Sequence, residues 1–346
     1  MQGMMPRKHI YKHLVGSWGI PPIPFAFFQK FVVNYSTSNF KNSHMNQSRR
    51  IFIRNSALAA AGATFFSSDL FAAAKKGELT GIQLYSIRDD MSKKPLETLQ
   101  LLSKMGYKHV EHANYVNRKF YGWSAAEFKK LLNDLGMAMP SGHTVMTSKH
   151  WDAAKKDFTD GWKQTVEDAA AVGQMFVISP WMEETVRKDI NALKGMMEIF
   201  NKSGELCQKY GMKFGYHNHD FEFSEKLGDR TLFDIILGET DPKLVMQQLD
   251  IGNMINGGAK ALDIMQKYPG RFESMHVKDE VASKSGHEKF ESTILGVGIV
   301  PVKEVIDLGR KWGTKHFIIE QESYQGKTPL DCVKEDLEIM KKWGYK

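Results

Sequence analysis

From Leu79 onward the chain alternates two hydrophobic patterns. Short apolar runs fall near 80–85, 108–112, 137–142, 174–179, 213–217, 244–250, 273–277 and 316–320, each of strand length. Between them lie longer stretches with apolar positions three and four apart. These predict helices over Leu96–Met105, Ala125–Leu135, Trp162–Val172, Ile190–Tyr210, Leu232–Leu237, Ala261–Tyr268 and Val302–Trp312, with a last one over Leu330–Trp343. Helix-to-strand junctions repeat one device: Gly106, Gly136, Gly173, Gly211, Gly270 and Gly313 each follow a helical run. Glycine tolerates the left-handed conformation that closes a helix, so the repeat marks αβ turns. The remaining junction uses Asp241-Pro242. Eight β-then-α units in succession predict a closed (β/α)8 barrel, a single domain, over an open doubly wound sheet. No strand-to-helix turn carries the G-x-G-x-x-G of a dinucleotide fold.

Chemistry concentrates in Met212–Glu222, M-K-F-G-Y-H-N-H-D-F-E. Strand alternation puts Gly215, His217 and His219 on one face and Phe214, Tyr216 and Asn218 on the other. Three other apolar strands end in a metal-type ligand: Asp250, His276 and Glu320. In a (β/α)8 barrel the active site lies at the C-terminal ends of the strands. Taken in order, those ends carry Gln83, Tyr85 and Arg88, then Glu111 and His112, His143, Trp181, the His217–Glu222 cluster, Asp250, His276 with Lys278, and Glu320 with Glu322. Taken singly, several have plainer explanations. Glu111 and His112 fit a solvated strand end, His143 fits a structural role as well as a substrate contact, and Lys278 fits an ion pair with Asp279. Tyr85 and Trp181 are expected as cavity walls, their flat aromatic faces offering apolar surface at the rim. His150-Trp151 and Gly296-Val297-Gly298 are expected in loops.

Charge narrows the function classes. The formal net charge is +7, yet residues 1–74 hold eight of the 47 bases and one of the 40 acids, leaving 39 of each beyond. A neutral body argues against a phosphate-tracking surface and nucleic-acid partners. The basic leader contains Ser48-Arg49-Arg50-Ile51-Phe52-Ile53-Arg54, an apolar run over Ala57–Phe66, and Ala72-Ala73-Ala74. Twin arginines, a short apolar stretch and a small-residue cleavage region predict a Tat-type signal peptide over 45–74 and a periplasmic protein. Residues 1–44 are then an upstream extension without a fold, and 75–346 the barrel domain. The apolar run is shorter than the roughly 20 residues a membrane span needs, so no stable span is expected after cleavage. Cys207 and Cys332 are expected as buried thiols. A homo-oligomer is left open.

Several segments together resemble the xylose-isomerase-like barrel superfamily, specifically the sugar phosphate isomerase/epimerase group with its inosose dehydratases and ketose 3-epimerases. They are Gly81-Ile82-Gln83-Leu84-Tyr85-Ser86, Val110-Glu111, His217-Asn218-His219-Asp220-Phe221-Glu222, Leu249-Asp250-Ile251-Gly252-Asn253, His276-Val277-Lys278-Asp279 and Ile319-Glu320. The resemblance implies one divalent metal held by Glu, Asp, His and Glu from strands five to eight. Asp250, His276 and Glu320 match the last three positions. His217 stands where many members have Glu, with His219 and Glu222 as alternative ligands. Carboxylates with imidazole suit Mn2+, Co2+, Zn2+ or Mg2+. Such an ion acts as a Lewis acid when a proton leaves the carbon beside a sugar carbonyl. Glu111, His143, Glu222 and Glu320 are the candidate acids and bases, with Lys278 stabilising an oxyanion. Gln83, Tyr85, Arg88, Trp181 and His219 are the expected substrate contacts. The expected function is a metal-dependent sugar isomerase, epimerase or lyase. An exported location favours an unphosphorylated sugar or 3-keto-glycoside as the small-molecule substrate. The alternative is a non-catalytic periplasmic carbohydrate-binding barrel; an abasic-site endonuclease, which shares the fold, is disfavoured by the even charge.

Overall fold

The computed structural model describes residues 78–284 and 288–345, so the expected extension and signal peptide, residues 1–74, lie outside the described residues. Eight parallel strands close into a barrel: β1 (Leu79–Gln83), β2 (His109–His112), β3 (Ala138–His143), β4 (Phe176–Ser179), β5 (Lys213–His217), β6 (Val245–Asp250), β7 (Phe272–Val277) and β8 (His316–Ile319). Neighbours around the ring are neighbours in sequence, and β8 closes on β1 through Leu79↔His316 and Ile82↔Ile319. The eight main helices are α1 (Pro95–Met105), α2 (Ala125–Asp134), α3 (Asp160–Val172), α4 (Ile190–Gln208), α5 (Leu232–Glu239), α6 (Ala261–Lys267), α7 (Val302–Lys311) and α8 (Pro329–Lys342). Each falls within about two residues of the stretch its periodicity predicted.

Local chemistry sets the boundaries. Ser124 caps α2 in a reciprocal box with Glu127. Thr328 accepts from the Asp331 amide at the start of α8, where Pro329 occupies the first turn. After α1, Gly106 takes φ 104°, closing the helix onto the Leu102 and Ser103 carbonyls.

Two kinds of core result. Outward strand residues pack under the helices, as where Tyr216 of β5 meets Phe200 of α4 at 5.6 Å between ring centres. Inside the barrel, Phe176, Ile178 and Met246 form a small apolar cluster of their own. Gly215 makes room for it, since a Cβ there would lie 2.9 Å from Met246 Sδ and 3.1 Å from Ile178 Cγ1. Above this cluster the interior turns polar.

The strand-to-helix loops carry elements the periodicity did not announce. Four hairpins join Tyr115–Val116 to Lys119–Phe120, Trp151–Asp152 to Asp157–Phe158, Lys226–Leu227 to Arg230–Thr231, and Asp279–Ala282 to Phe290–Thr293. The last is pinned by Asp279, whose carboxylate accepts the backbone N–H groups of Glu280, Gly296, Gly298 and Val300. That arrangement replaces the expected Lys278–Asp279 pair. Cys207 and Cys332 are buried free thiols.

Candidate active site

Four strand ends converge at the C-terminal mouth. One ligand atom each from His217, Asp250, His276 and Glu320 lie within 4.8 Å of one another, all from buried residues. His276 Nδ1 is 2.9 Å from Glu320 Oε2 and 4.0 Å from Asp250 Oδ2; His217 Nε2 is 3.8 Å from that same Oδ2. Asp250 is aimed by the loop after it. Its Oδ1 accepts the amides of Gly252 and Asn253 at 2.9 and 2.8 Å, leaving Oδ2 buried without a hydrogen bond. Asn218 ties β5 to β6 by accepting the Asp250 amide and donating to its carbonyl.

A buried polar atom left in this way among imidazoles and carboxylates fits a cation. Two carboxylates balance a dication's charge and two imidazoles supply borderline donors, so a divalent ion suits the set. Lys278 stands beside it. Its Nζ lies 3.0 Å from Glu320, 3.3 Å from Asp250 and 2.7 Å from Glu322, and donates to Asn253 Oδ1.

Beneath the four lies a second layer centred on Glu111, which is fully buried. Its Oε1 accepts from Gln83 Nε2 at 2.8 Å and lies 2.6 Å from His276 Nε2 and 3.2 Å from His143 Nε2. Its Oε2 accepts from Ser141 Oγ at 2.5 Å and from Gln248 Nε2 at 2.9 Å. Burial alone would raise the Glu111 carboxyl, but the charged His276 and the hydrogen bond from Ser141 hold it down at about 2. The same carboxylates act on His276: burial opposes its charge, yet Glu320 and Glu111 raise it to about 10. His217 and His143 are driven down by burial, so both are neutral imidazoles. Burial raises the Asp250 carboxyl against the pull of Lys278, while Lys278 and His276 overcome burial to hold Glu320 low.

The expected residues divide accordingly. His217, Asp250, His276, Glu320 and Lys278 meet at the mouth, with His143 against them, its ring centre 4.8 Å from that of His217 and 5.2 Å from that of His276. Glu222 turns away. Its carboxylate accepts from Tyr216 Oη at 2.5 Å and from the His219 amide at 2.8 Å, and Tyr216 belongs to the outward face of β5. Burial pushes Glu222 up to about 8, and it does not join the ligand group. Gln83 also departs from expectation. Its Nε2 serves Glu111, its Oε1 accepts the Tyr85 amide, and it is fully buried, so it supports the layer instead of touching substrate. Glu111 likewise spends both oxygens on protein donors. His112, expected at a solvated end, packs edge-on against Phe120 under the helices, and burial lowers it to about 3.

Other expected contacts line the rim. Arg88 stacks over the Tyr85 ring at 4.8 Å and donates to Tyr324 Oη. Trp181 is half-buried in the loop after β4. His219 stacks on Phe221 with ring centres 5.8 Å apart and lies 5.2 Å from the His217 ring. His150 supports its turn, where Nδ1 accepts the Thr147 amide. Sequence reasoning missed Gln248, Ser141, Ser274 and Tyr324. Gln248 was findable: it sits two residues before Asp250 on the same face of β6.

An eightfold parallel barrel with a His/Asp/Glu set at the C-terminal ends of β5 to β8 defines the class of barrels that gather polar ligands at one mouth. Residues 99–343 match the family model described as Xylose isomerase-like TIM barrel, and the chain belongs to that family. It is 31% identical over 121 residues to an inosose dehydratase of Geobacillus thermodenitrificans, covering 32% of this chain and 39% of that enzyme. A sugar phosphate isomerase/epimerase structure from Parabacteroides distasonis superposes with a TM-score of 0.65 at 26% identity, over 77% of this chain and 98% of that one. An L-ribulose 3-epimerase shares the fold at 13% identity, with a TM-score of 0.58 over 77% of this chain and 94% of that one. The curated dehydratase is thus matched over well under half its length.

Proposed function

We propose that the protein is a metal-dependent isomerase, epimerase or lyase that removes a proton from the carbon beside a sugar carbonyl. The convergence of His217, Asp250, His276 and Glu320 carries this reading. These four residues would hold one divalent ion, of the Mn2+, Co2+, Zn2+ or Mg2+ kind. Bound there, it would supply Lewis acidity to a carbonyl and a neighbouring hydroxyl. Similarity to inosose dehydratases and to a sugar phosphate isomerase/epimerase structure supports the substrate class.

The chain's own residues supply the proton chemistry. His143 is neutral, and with Nε2 directed to Gln248 its Nδ1 is the nitrogen left to take a proton. Glu320, held ionised beside Lys278, is the second proton carrier. As the C–H bond breaks, its electron pair moves toward the carbonyl oxygen, where the buried Lys278 ammonium stabilises the oxyanion. Return of the proton to the other face gives an epimer, and departure of a β-hydroxyl or aglycone with a proton gives elimination. Tyr85, Trp181 and Arg88 offer aromatic and cationic groups at the rim for the sugar.

The twin-arginine leader makes export part of the proposal, and with it an unphosphorylated sugar or 3-keto-glycoside. A keto-sugar incubated with the enzyme in D2O should gain deuterium at the abstracted carbon. A 3-keto-glycoside that loses its aglycone marks elimination, and one that only inverts marks epimerisation. Hydrolysis of unoxidised glycoside in excess chelator, with no deuterium uptake, would overturn the reading. Arg49→Lys with Arg50→Lys should retain the protein in the cytoplasm; a mature exported product would refute the Tat route.

A further inference from the structure

Gln248 sits under the ligand group at a point where several histidines meet. Its Oε1 is 2.8 Å from His143 Nε2 and 3.0 Å from His217 Nδ1. Its Nε2 donates to Glu111 Oε2 at 2.9 Å and to Ser274 Oγ at 3.1 Å. The orientation of such an amide is decided by its partners. An ionised carboxylate only accepts, so the Glu111 side must face the NH2 end. The opposite flip would set a carbonyl oxygen against Glu111 Oε2. The carboxylate therefore fixes the amide, and the amide presents its oxygen to both imidazoles.

That oxygen has two lone pairs and accepts two N–H groups. A neutral imidazole carries one N–H. His143 must then carry it on Nε2 and His217 on Nδ1, which leaves His143 Nδ1 and His217 Nε2 as lone pairs. His217 Nε2 is the nitrogen nearest Asp250 Oδ2, at 3.8 Å. On β7, His276 differs: Glu111 Oε1 engages its Nε2 and Glu320 Oε2 its Nδ1, so both nitrogens face carboxylates.

We infer that Gln248 is a positioning residue that fixes opposite tautomers in His143 and His217, turning one into a proton acceptor through Nδ1 and the other into a metal ligand through Nε2. The amide achieves this without touching substrate, since it is fully buried beneath both rings. One neutral side chain thus assigns two different tasks to two identical residues. The metal half of this inference rests on the function proposed above; the tautomer half does not.

The test uses protein labelled with 15N-histidine, with and without added Mn2+ or Zn2+. Two-bond nitrogen–proton spectra of the metal-free wild type should show His143 as the Nε2–H form and His217 as the Nδ1–H form, assigned by single His→Ala variants. In Gln248→Met, which keeps length and removes the acceptor, both rings should become tautomer mixtures. The Zn2+ dissociation constant, read by competition with a chelator, should rise about 10–100-fold, the range for residues that orient metal ligands. Should Gln248→Met fail to fold, the wild-type spectra still decide. Wild-type spectra with His217 protonated at Nε2, or unaltered tautomers in Gln248→Met, would overturn the inference. Wild-type protein that binds no ion would sink the metal reading while the spectra continue to decide the tautomers.

Discussion

Glu111 Oε1 and His276 Nε2 approach to 2.6 Å across the barrel interior, both fully buried, with Glu320 on the opposite nitrogen of the same ring. His276 is therefore an imidazolium clamped between two carboxylates from β2 and the end of β8. Were His276 to hold a divalent ion, binding would release a proton from that ring.

Glu111→Gln should be costly in a specific way. The amide would turn one end, a donor, toward groups that donate, leaving a buried N–H unpaired. A buried unsatisfied polar group costs about 1–3 kcal/mol, so urea denaturation should show a loss in that range. Glu111→Asp, which shortens the reach but keeps the charge, should recover part of it.

Asp250→Asn and His276→Ala should each abolish stoichiometric metal, measured on purified protein by elemental analysis after dialysis. In the wild type, an ion at about 100 times its dissociation constant should add about 2.7 kcal/mol of stability. An absent metal-induced rise in melting temperature in the wild type would contradict the ligand set.

Glu222→Gln should change turnover less than about twofold. The carboxyl is protonated up to about pH 8 because burial raises it, so the neutral amide is a close replacement. Tyr216 Oη can turn its hydroxyl to accept from the amide. A loss of about 10²-fold, the scale of a removed general acid or base, would return Glu222 to the reaction.

Asp336 gives a pH prediction away from the mouth. On α8 its Oδ1 accepts the Leu295 amide while Oδ2 is buried without a partner, and burial raises its carboxyl to about 7. A folded-state pKa above the unfolded value of about 3.9 means the folded chain holds its proton longer. Stability from this group is therefore intact below about pH 4, falls as pH rises, and levels off above about 7. Asp336→Asn should stabilise the protein progressively over that window, by at most about 4 kcal/mol at pH 8. An equal effect at pH 4 and pH 8 in urea melts would contradict the account.

The barrel was legible because each strand-helix unit writes its own period and its own closing glycine. Gly106 and its counterparts mark turns that nothing else in the chain needs. The meeting of His217, Asp250, His276 and Glu320 was legible for a related reason: strand parity fixes which way His217 points, and strand ends must lie at one mouth. What parity does not encode is the path of a loop. Glu222 lies beyond the end of β5, in the turn Phe221–Ser224, and its direction depends on Tyr216 offering a hydroxyl on the far side of the strand. The hairpin beginning at Asp279 escaped for the same reason, since backbone amides from Gly296 to Val300 define it. Gln248 escaped although parity places it on the inward face with Asp250, because a glutamine by itself names no chemistry.

The apolar cluster of Phe176, Ile178 and Met246 has a bearing on isotope bookkeeping. It seals the interior below Glu111, with His316 packed edge-on against Phe176 at 4.9 Å. Among the described residues, the site thus has an apolar floor. If a hydron is taken from a sugar there, as proposed, its exchange with solvent competes with its return while the ligand stays bound. Label washout should therefore depend on how long the ligand stays, so that a slowly released substrate retains more of its original hydrogen than a quickly released one.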